Sequence, residues 1–210
     1  IVTTGLVLCL DAGNIKSYPG SGTTWRDLSG GGNNGTLVGG VGYNGSNLGS
    51  LVFDGSDDYV TLGKNFVGTI TTFTVSHFIY LNANQTQKTI FSNYKTVGSN
   101  GWVTGISDST TNVIKFYLGS NTLYSTTALL NGVWYYVTVT YNNGNPKIYI
   151  NDTLNASSTN TIQFSTPVDN NDIGRLSANA QYFNGRISNL QFYNRALTAE
   201  EVSQNFNATR

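Results

Sequence analysis

Residues that usually carry chemistry are scarce in this 210-residue chain, which has one cysteine, one histidine, two glutamates and no methionine. A single cysteine excludes an internal disulfide bond, and Cys9 lies in the apolar run LVLCL, which favours a buried, unreactive thiol. One histidine and one cysteine also fall short of a tetrahedral zinc site. His77 shares a predicted strand face with apolar residues, which favours a core histidine over a general base.

Charge is equally scarce. Charged residues make up 10% of the chain, and the formal net charge is zero. We therefore expect no nucleic-acid partner and no electrostatic binding to anionic lipid. No apolar run approaches 18 residues and no signal peptide is visible, so we expect no membrane insertion. A chain that begins with Ile1 and lacks methionine is expected to be processed or part of a longer protein.

The residues that are abundant favour strands and turns. Hydrophobic residues make up 39% of the chain, with many Tyr, Phe, Thr and Val, and Gly, Asn and Ser fill the intervals between apolar runs. About a dozen short strands follow one another with no linker or shift in composition. The sequence therefore predicts an all-β fold, an antiparallel two-sheet β-sandwich of jelly-roll type, as a single domain over residues 1–210.

Three segments predict local structure most clearly. Residues 72–81 alternate between two faces and predict a central strand. The run VWYYVTVTY at 133–141 is followed by the turn NNGN and then by PKIYIN, which predicts a β-hairpin. A second hairpin is predicted at Gly55–Ser56–Asp57–Asp58, which separates two short apolar runs.

The last 28 residues predict a long strand from Phe183 onward and then a short C-terminal helix. Thr198 is a good N-cap, and Glu201 stands three residues later, where it can close a capping box. Leu197 can pack against Val202 as a hydrophobic staple. The C-terminus is therefore expected to be fixed to the body of the fold.

Three tracts together resemble laminin G-like domains of the concanavalin A-like lectin/glucanase superfamily. They are GLVLCLDAGN with YPGSGTTWRDLSGGGNNGTL, LVFDGSDDYVTLG, and FNGRISNLQFYNRALTAEEVSQNFNATR. The start and end of the chain are similar to modules in structural proteins of tailed-phage virions. The resemblance implies a two-sheet jelly roll used for binding, often to glycans or cell surfaces, and often with a structural calcium ion. It also implies a virion or extracellular, cell-surface location.

Catalysis is not expected. Glycosidases need two carboxylates about 5 to 10 Å apart across the scissile bond, and enzymes of the resembled superfamily carry them at alternate positions of one strand. Here the two glutamates, Glu200 and Glu201, fall at the start of the C-terminal helix, where helix capping explains them. Asp57 and Asp58 are sequence neighbours, so on a strand they would point to opposite faces. The chain is therefore expected not to be an enzyme.

Calcium is the metal that the loops could hold, because Asp, Asn and backbone carbonyl groups supply its oxygen ligands. Asp11 and Asp27 sit in the resembled N-terminal motifs, and the glycine-rich loop adds Asn33. In the alternative interpretation, Asp11 and Asp27 only cap turns of their own backbone. A weaker candidate is Asp57 with Asp58.

One departure from the resembled family counts against a calcium ion. Family members more often carry an acidic pair in the last strand, where this chain has Ser188 and Asn189.

Binding requires no catalytic group. Sugar sites combine aromatic faces with side-chain amides and carboxylates, and loops of a rigid sandwich usually present them. The candidates on or beside predicted loops are Tyr94, Trp102, Tyr124, Asn179 and Tyr182, although most aromatic residues of a jelly roll belong to its core. The first hypothesis is a recognition module for a glycan or host cell-surface polymer. The alternative is a structural or decoration module that packs on other virion or surface proteins, or on copies of itself.

Overall fold

The computed structural model describes residues 1–46, 49–63, 71–93, 101–119, 121–159, 171–176 and 181–209. These residues form sixteen β-strands and one α-helix. In chain order the elements are β1 Leu6–Asp11, β2 Thr24–Trp25, β3 Gly35–Val38, β4 Gly42–Asn44, β5 Ser50–Asp54, β6 Tyr59–Thr61, β7 Thr72–Leu81, β8 Lys88–Ser92, β9 Trp102–Ile106, β10 Val113–Leu118, β11 Asn121–Ala128, β12 Trp134–Asn142, β13 Asn145–Ile150, β14 Thr153–Ser157, β15 Asp172–Ile173, β16 Asn184–Tyr193 and α1 Ala199–Thr209.

The strands form two eight-stranded sheets. The first sheet has the order β14-β13-β12-β7-β16-β5-β4, with β1 also paired to β16, and the second has the order β11-β10-β9-β8-β15-β6-β3-β2. All the described strand pairs are antiparallel. The predicted antiparallel two-sheet sandwich is confirmed.

The hairpin predicted at residues 55–58 is wrong. β5 pairs with β4 and β16 in the first sheet, whereas β6 pairs with β3 and β15 in the second. Gly55 has a positive φ of 83°, which glycine adopts without steric cost. The turn therefore carries the chain from one layer of the sandwich to the other instead of closing a hairpin.

The other strand predictions hold. β7 has the predicted bounds and lies between β12 and β16 near the centre of the first sheet. β12 and β13 form the predicted hairpin, with Asn142 opposite Asn145. Its two central residues, Asn143 and Gly144, both have positive φ, as a two-residue type I′ turn requires.

The core lies between the sheets and is rich in aromatic rings. Phe73 of β7 packs against Trp102 of β9 and Phe192 of β16, with ring centroids 5.3 and 5.6 Å apart. All three side chains are fully buried or nearly so. Aromatic pairs of this kind add about 0.5–1.5 kcal/mol each beyond the area they bury. The two sheets are therefore joined by apolar packing across the whole middle of the sandwich.

Helix α1 covers part of the outer face of the first sheet. The fully buried Asn205 accepts a hydrogen bond from the Val2 backbone N–H at 2.7 Å and donates one to the Tyr193 hydroxyl at 2.9 Å. The predicted capping box is present, because Thr198 and Glu201 each accept the other's backbone N–H. The helix thus links both ends of the chain to β16. None of the helical residues described here forms a segment long and apolar enough to cross a membrane.

Candidate functional site

Three of the five residues predicted to bind a ligand lie in the part of the chain that the structure describes, and they occupy different environments. Tyr124 is 42% exposed on β11, and Tyr182 is half-buried just before β16. Trp102 is fully buried in β9, so its predicted position at a ligand-binding loop is wrong. Its ring fills the core between Phe73 and Phe91 because every second residue of β9 points inward. Tyr94 and Asn179 lie outside the described residues.

The strand register shows which side chains of the second sheet point outward, away from the core. Ile114, Phe116 and Leu118 of β10 are buried in the core, so the alternating residues Lys115 and Tyr117 point away from it. Lys115 is paired with Tyr124 of β11 on one side and with Gly105 of β9 on the other. Tyr117 is paired in the same way with Thr122 and Val103. Tyrosine rings, a lysine and small residues therefore share this outer face.

Lys115, Tyr117 and Val103 line a cleft of about 170 Å³ on this face, which we call the second-sheet cleft. At its centre the Lys115 ammonium contacts the Asp108 carboxylate at 2.5 Å. The lysine side chain is only 6% exposed, whereas that of Asp108 is 48% exposed. Further lining residues are Gln87, Leu176 and Gln181. The cleft therefore combines an aromatic ring, an ion pair and two side-chain amides.

Gly105 keeps the strands beneath the cleft close together. A Cβ atom at this position would overlap the carbonyl oxygen of Lys88 in the neighbouring strand β8. The close approach occurs where the β8–β9 register shifts between Thr89 and Phe91. A β-bulge of this kind changes the direction in which the neighbouring side chains point.

A second group of side chains lies farther along the outer face of the same sheet. The Arg175 guanidinium stacks 3.4 Å from the centre of the Tyr59 ring and donates to the Asp172 carboxylate at 2.8 Å. The Tyr182 hydroxyl also interacts with this guanidinium. The preceding residue, Gln181, lines the second-sheet cleft. Tyr182 therefore lies beside this cleft.

The predicted calcium ligands have other partners. Asp27 Oδ1 accepts backbone N–H groups of Cys9 and Ser29, and Oδ2 accepts the Ser29 hydroxyl and the Asn33 backbone N–H. A carboxylate offers about four lone-pair sites, and all of them are used. Asp27 thus organises the loop between β2 and β3 through its own hydrogen bonds. Asp27 therefore does not fit a calcium ion in this geometry.

Asp11 and Asn33 agree with that interpretation. One Asp11 oxygen accepts the Gly13 backbone N–H at 2.9 Å, which is the turn-capping alternative. The Asn33 amide donates to the Val7 carbonyl at 2.9 Å and fixes the loop against β1. Burial raises the pKa of Asp11, although hydrogen bonds from Gly13 and Asn14 lower it in part. These residues hold the N-terminal loops in place.

The weaker metal candidate contains a third carboxylate. Oxygen atoms of Asp54, Asp57 and Asp58 lie within 4.8 Å of one another. The expectation that Asp57 and Asp58 point to opposite faces is wrong, because both precede β6 and lie in a turn. Asp58 accepts the Asp54 backbone N–H, and Asp54 accepts the N–H of Ser56. These hydrogen bonds shape the turn that joins the two sheets.

His77 and Cys9 have the environments that the sequence predicts. His77 is fully buried, and burial lowers its pKa to about 3, so the imidazole is neutral. Its Nε2 lies 3.2 Å from the Thr104 hydroxyl of the facing sheet. Burial also raises the pKa of the Cys9 thiol to about 11, so the reactive thiolate is disfavoured.

Sequence reasoning missed the centre of the second-sheet cleft. Lys115, Asp108 and Tyr117 were not among the predicted site residues, although a lysine inside the apolar strand VIKFYL is a signal for an outward face. The partners Gln87 and Gln181 have no such signal, because only the folded chain brings them to β10.

The family of the chain follows from its sequence. Residues 54–203 match the sequence profile of a laminin G-type family, described as the concanavalin A-like lectin/glucanases superfamily. The chain belongs to this superfamily. No curated protein matches it in sequence.

Solved structures share the fold of this superfamily member at low identity. Domain 4 of AbnA, an extracellular arabinanase from Geobacillus stearothermophilus solved in complex with arabinotriose, is 20% identical, with a TM-score of 0.74 and coverage of 95% of this chain and 97% of that one. The binding domain of Paraclostridial Mosquitocidal Protein 1 is 17% identical to this chain, with a TM-score of 0.74, and the match covers 97% of this chain. The receptor-binding domain of botulinum neurotoxin type G is 19% identical with a TM-score of 0.74, and covers 98%. This chain spans about half of each toxin domain, 52% and 51%.

Proposed function

We propose that this chain is a non-catalytic recognition module that binds a glycan or cell-surface polymer in the second-sheet cleft. The observation that carries the proposal is the cleft itself, where Tyr117 and the nearby Tyr124 stand beside the Lys115–Asp108 ion pair. The outer face of a rigid sheet holds these groups in fixed positions. Pre-organised groups of this kind reduce the entropic cost of binding.

The lining matches the chemistry of a sugar ring. A tyrosine ring packs against the apolar C–H side of a pyranose or furanose. The half-exposed Asp108 carboxylate accepts hydrogen bonds from hydroxyl groups, and the amides of Gln87 and Gln181 both donate and accept them. The cleft volume of about 170 Å³ suits one ring at a time, so a longer glycan would extend across the face toward Tyr124.

The carboxylates support binding without cleavage. Asp108 is the one carboxylate among the described residues that line the second-sheet cleft, and it is paired with Lys115. Hydrolysis of a glycosidic bond would need a second carboxylate on the opposite side of the sugar. Glu200 and Glu201 lie on α1, and the Asp54, Asp57 and Asp58 oxygens belong to the turn between β5 and β6.

Structural relatives support the ligand class. The AbnA domain, which matches along almost its whole length, was solved with arabinotriose. A botulinum neurotoxin type C structure is described by its interaction with two ganglioside molecules, and a type DC binding domain was solved with a sialyl ligand. Because this chain corresponds to about half of those toxin domains, the AbnA domain is the better guide.

The proposed setting is a virion or an extracellular surface protein. It is supported by the similarity of both chain ends to tailed-phage structural modules and by the extracellular origin of the AbnA domain. A second candidate function, a structural module that contacts other surface proteins or copies of itself, is favoured by the exposed apolar side chains of Leu130, Val133 and Leu154. Leu154 lies on β14, an edge strand of the first sheet, where partner strands can add.

A glycan array tests the proposal. An oligomerised form of the domain should bind microbial or host polysaccharides, and Tyr117→Ala and Tyr124→Ala should each weaken binding by about two- to tenfold, since aromatic stacking contacts contribute about 0.5–1.5 kcal/mol. Tyr43→Ala is the matched control, because Tyr43 is 38% exposed but lies on β4 of the first sheet. Thermal melts confirm that each variant folds.

Two results would contradict the glycan assignment. If the array gives no signal and light scattering shows self-association that Leu154→Asp abolishes, the structural module is the correct interpretation. If glycans bind but Tyr117→Ala, Tyr124→Ala and Tyr43→Ala are indistinguishable, the site lies outside the second-sheet cleft.

A further inference from the structure

The outer face of the first sheet carries a row of aromatic and basic side chains that crosses four strands. In the strand register, Tyr80 of β7 lies opposite Trp134 of β12 on one side and Arg186 of β16 on the other. Arg186 lies opposite Val52 of β5 in turn. The preceding or following residues along these strands lie in the core or pack against it: Leu51, Ile79, Tyr135 and Ile187. The row therefore points away from the core, and we call Trp134, Tyr80, Arg186 and Val52 the first-sheet row.

Aromatic rings on this face form a continuous apolar surface that α1 covers only in part. The Trp134 ring lies 5.5 Å from that of Tyr80 and 5.9 Å from that of Phe78, centroid to centroid. Tyr136, opposite Phe78, is fully buried, and Phe206 of α1 packs against it with centroids 6.0 Å apart. Phe78, Tyr80 and Trp134 are half-buried. The helix therefore covers Tyr136 and leaves the rings beyond it partly open to solvent.

Arg186 places a guanidinium group beside these rings. Its Cζ lies 4.9 Å from the centre of the Tyr80 ring, and this cation–π contact holds the group in position. No described carboxylate forms an ion pair with Arg186. Its Nε is buried and has no hydrogen-bond partner, whereas Nη1 and Nη2 of this half-buried side chain are not enclosed in that way. Nη1 and Nη2 are therefore the donors that a ligand can reach.

The charges around the first-sheet row favour an anion. Among the described residues, the carboxylate nearest to Arg186 in the register is that of Asp54, which lies opposite Asn184 at the next outward-facing position. Asp54 Oδ1 accepts the backbone N–H of Ser56 at 2.8 Å, so this side chain is held in the turn after β5. Arg186 is the one charged residue of the row itself. An unpaired guanidinium beside apolar rings attracts a group that is both anionic and ring-shaped.

We propose that the first-sheet row binds an acidic sugar, a uronate residue of a polysaccharide, whose ring stacks on Trp134 and Tyr80 while its carboxylate pairs with Arg186. Aromatic faces pack against the C–H side of a sugar ring. A guanidinium binds a carboxylate through two parallel hydrogen bonds. Adjacent strands lie about 4.8 Å apart, so the row spans about 14 Å from Trp134 to Val52, which leaves room for more than one ring of a chain.

This inference rests on the proposed function for its ligand class only, because the site is a different one. The row lies on the first sheet, and the second-sheet cleft lies on the other. In the cleft the Lys115 ammonium is already paired with Asp108, whereas Arg186 has no such partner among the described residues. The row therefore selects a charged glycan, and a test that locates the bound sugar distinguishes its failure from failure of the cleft.

NMR titration of the ¹⁵N-labelled domain with tri-galacturonate tests the proposal. The trimer should shift the backbone amide signals of Tyr80 and Arg186 and the indole N–H signal of Trp134. The methyl ester of the same trimer keeps the rings but lacks the charge, and it should bind about tenfold more weakly. This comparison uses the wild-type chain and so does not depend on the folding of any variant.

Variants separate the charge from the stacking. Arg186→Gln should weaken tri-galacturonate binding about tenfold and leave binding of the ester unchanged, because only the charged ligand pairs with the guanidinium. Trp134→Leu should weaken binding of both trimers by about two- to tenfold. Arg26→Gln is the matched control, since it removes the same charge from an exposed arginine that follows β2 in the second sheet. It should leave both affinities unchanged, and thermal melts confirm that each variant folds.

The proposal is overturned by equal affinities for tri-galacturonate and its ester, by equal losses in Arg186→Gln and Arg26→Gln, or by no shift at high millimolar trimer. Shifts confined to the amides of Lys115 and Tyr117 would also overturn it, and would place the acidic glycan in the second-sheet cleft. Shifts of the row with tri-glutamate but not with tri-galacturonate would overturn it as well, and would assign the face to an acidic protein partner. None of these results changes the binding of neutral glycans in the cleft, which the array measures.

Discussion

Replacing Asp27 with asparagine tests what organises the N-terminal loops. The substitution keeps the size of the side chain but removes its charge and turns one acceptor oxygen into an NH₂ donor. The carboxylate now accepts four hydrogen bonds, from Cys9, Ser29 twice, and Asn33. An asparagine in the same position keeps the two bonds at Oδ1. At the position of Oδ2 its NH₂ group faces the Asn33 backbone N–H. Both groups are donors, so they form no hydrogen bond with each other.

The cost follows from these contacts. The Ser29 hydroxyl can rotate and accept from the new amide, whereas the Asn33 N–H loses its partner. One unsatisfied buried donor and the loss of charge from the remaining bonds together cost about 3 kcal/mol. In a domain of this size that corresponds to a fall in Tm of about 6–12 °C.

Calorimetry with and without EDTA measures this effect and tests calcium at the same time. We expect Asp27→Asn to lower the Tm, EDTA to leave the wild-type Tm unchanged, and the exposed Asp152→Asn to stay within about 0.5 kcal/mol of wild type. A wild-type Tm that falls in EDTA, with Asp27→Asn insensitive to EDTA, would show that an ion organises the loop. An Asp27→Asn protein as stable as wild type would refute the hydrogen-bond argument.

Three further predictions concern stability. The unfolded chain protonates His77 near pH 6.5, but the folded chain does so only near pH 3, so stability should fall by up to about 1.4 kcal/mol per pH unit as the pH drops through that window. In urea denaturation at several pH values, the free energy of unfolding should depend less steeply on pH for His77→Gln than for wild type. Equal dependences would contradict the attribution of this effect to His77. Gly105→Ala should cost about 1–3 kcal/mol, because the new methyl group overlaps the Lys88 carbonyl; a neutral result in the same denaturation assay would show that β8 and β9 separate freely. Asn205→Ala should cost about 1–3 kcal/mol by leaving the buried Val2 N–H without an acceptor, and hydrogen exchange at Val2 should rise with it. Unchanged exchange would mean that α1 does not hold the N-terminus.

The metal and ligand residues show where sequence reasoning lost accuracy. Asp11, Asp27 and Asn33 were the predicted calcium ligands, and the sequence left turn capping as an alternative for Asp11 and Asp27. The contacts favour capping, because Asp27 accepts the backbone N–H groups of Ser29 and Asn33 in its own loop. Tyr124, predicted on or beside a loop, is exposed but lies within strand β11. Trp102 is buried, since its position in β9 relative to the core depends on pairing with β8 and β10.

The sequence by itself determined the local features of this protein, which depend only on residues a few positions apart. The capping box of Thr198 and Glu201, the Asn143–Gly144 turn and the bounds of β7 follow from side-chain chemistry and backbone preference within a few positions. Alternation along a strand shows that one face is buried, but it does not show in which sheet the strand lies or which strand lies beside it. Tertiary structure alone sent β5 and β6 into different sheets. It also brought residues far apart in sequence together in the second-sheet cleft, because strand register between distant segments sets which side chains meet.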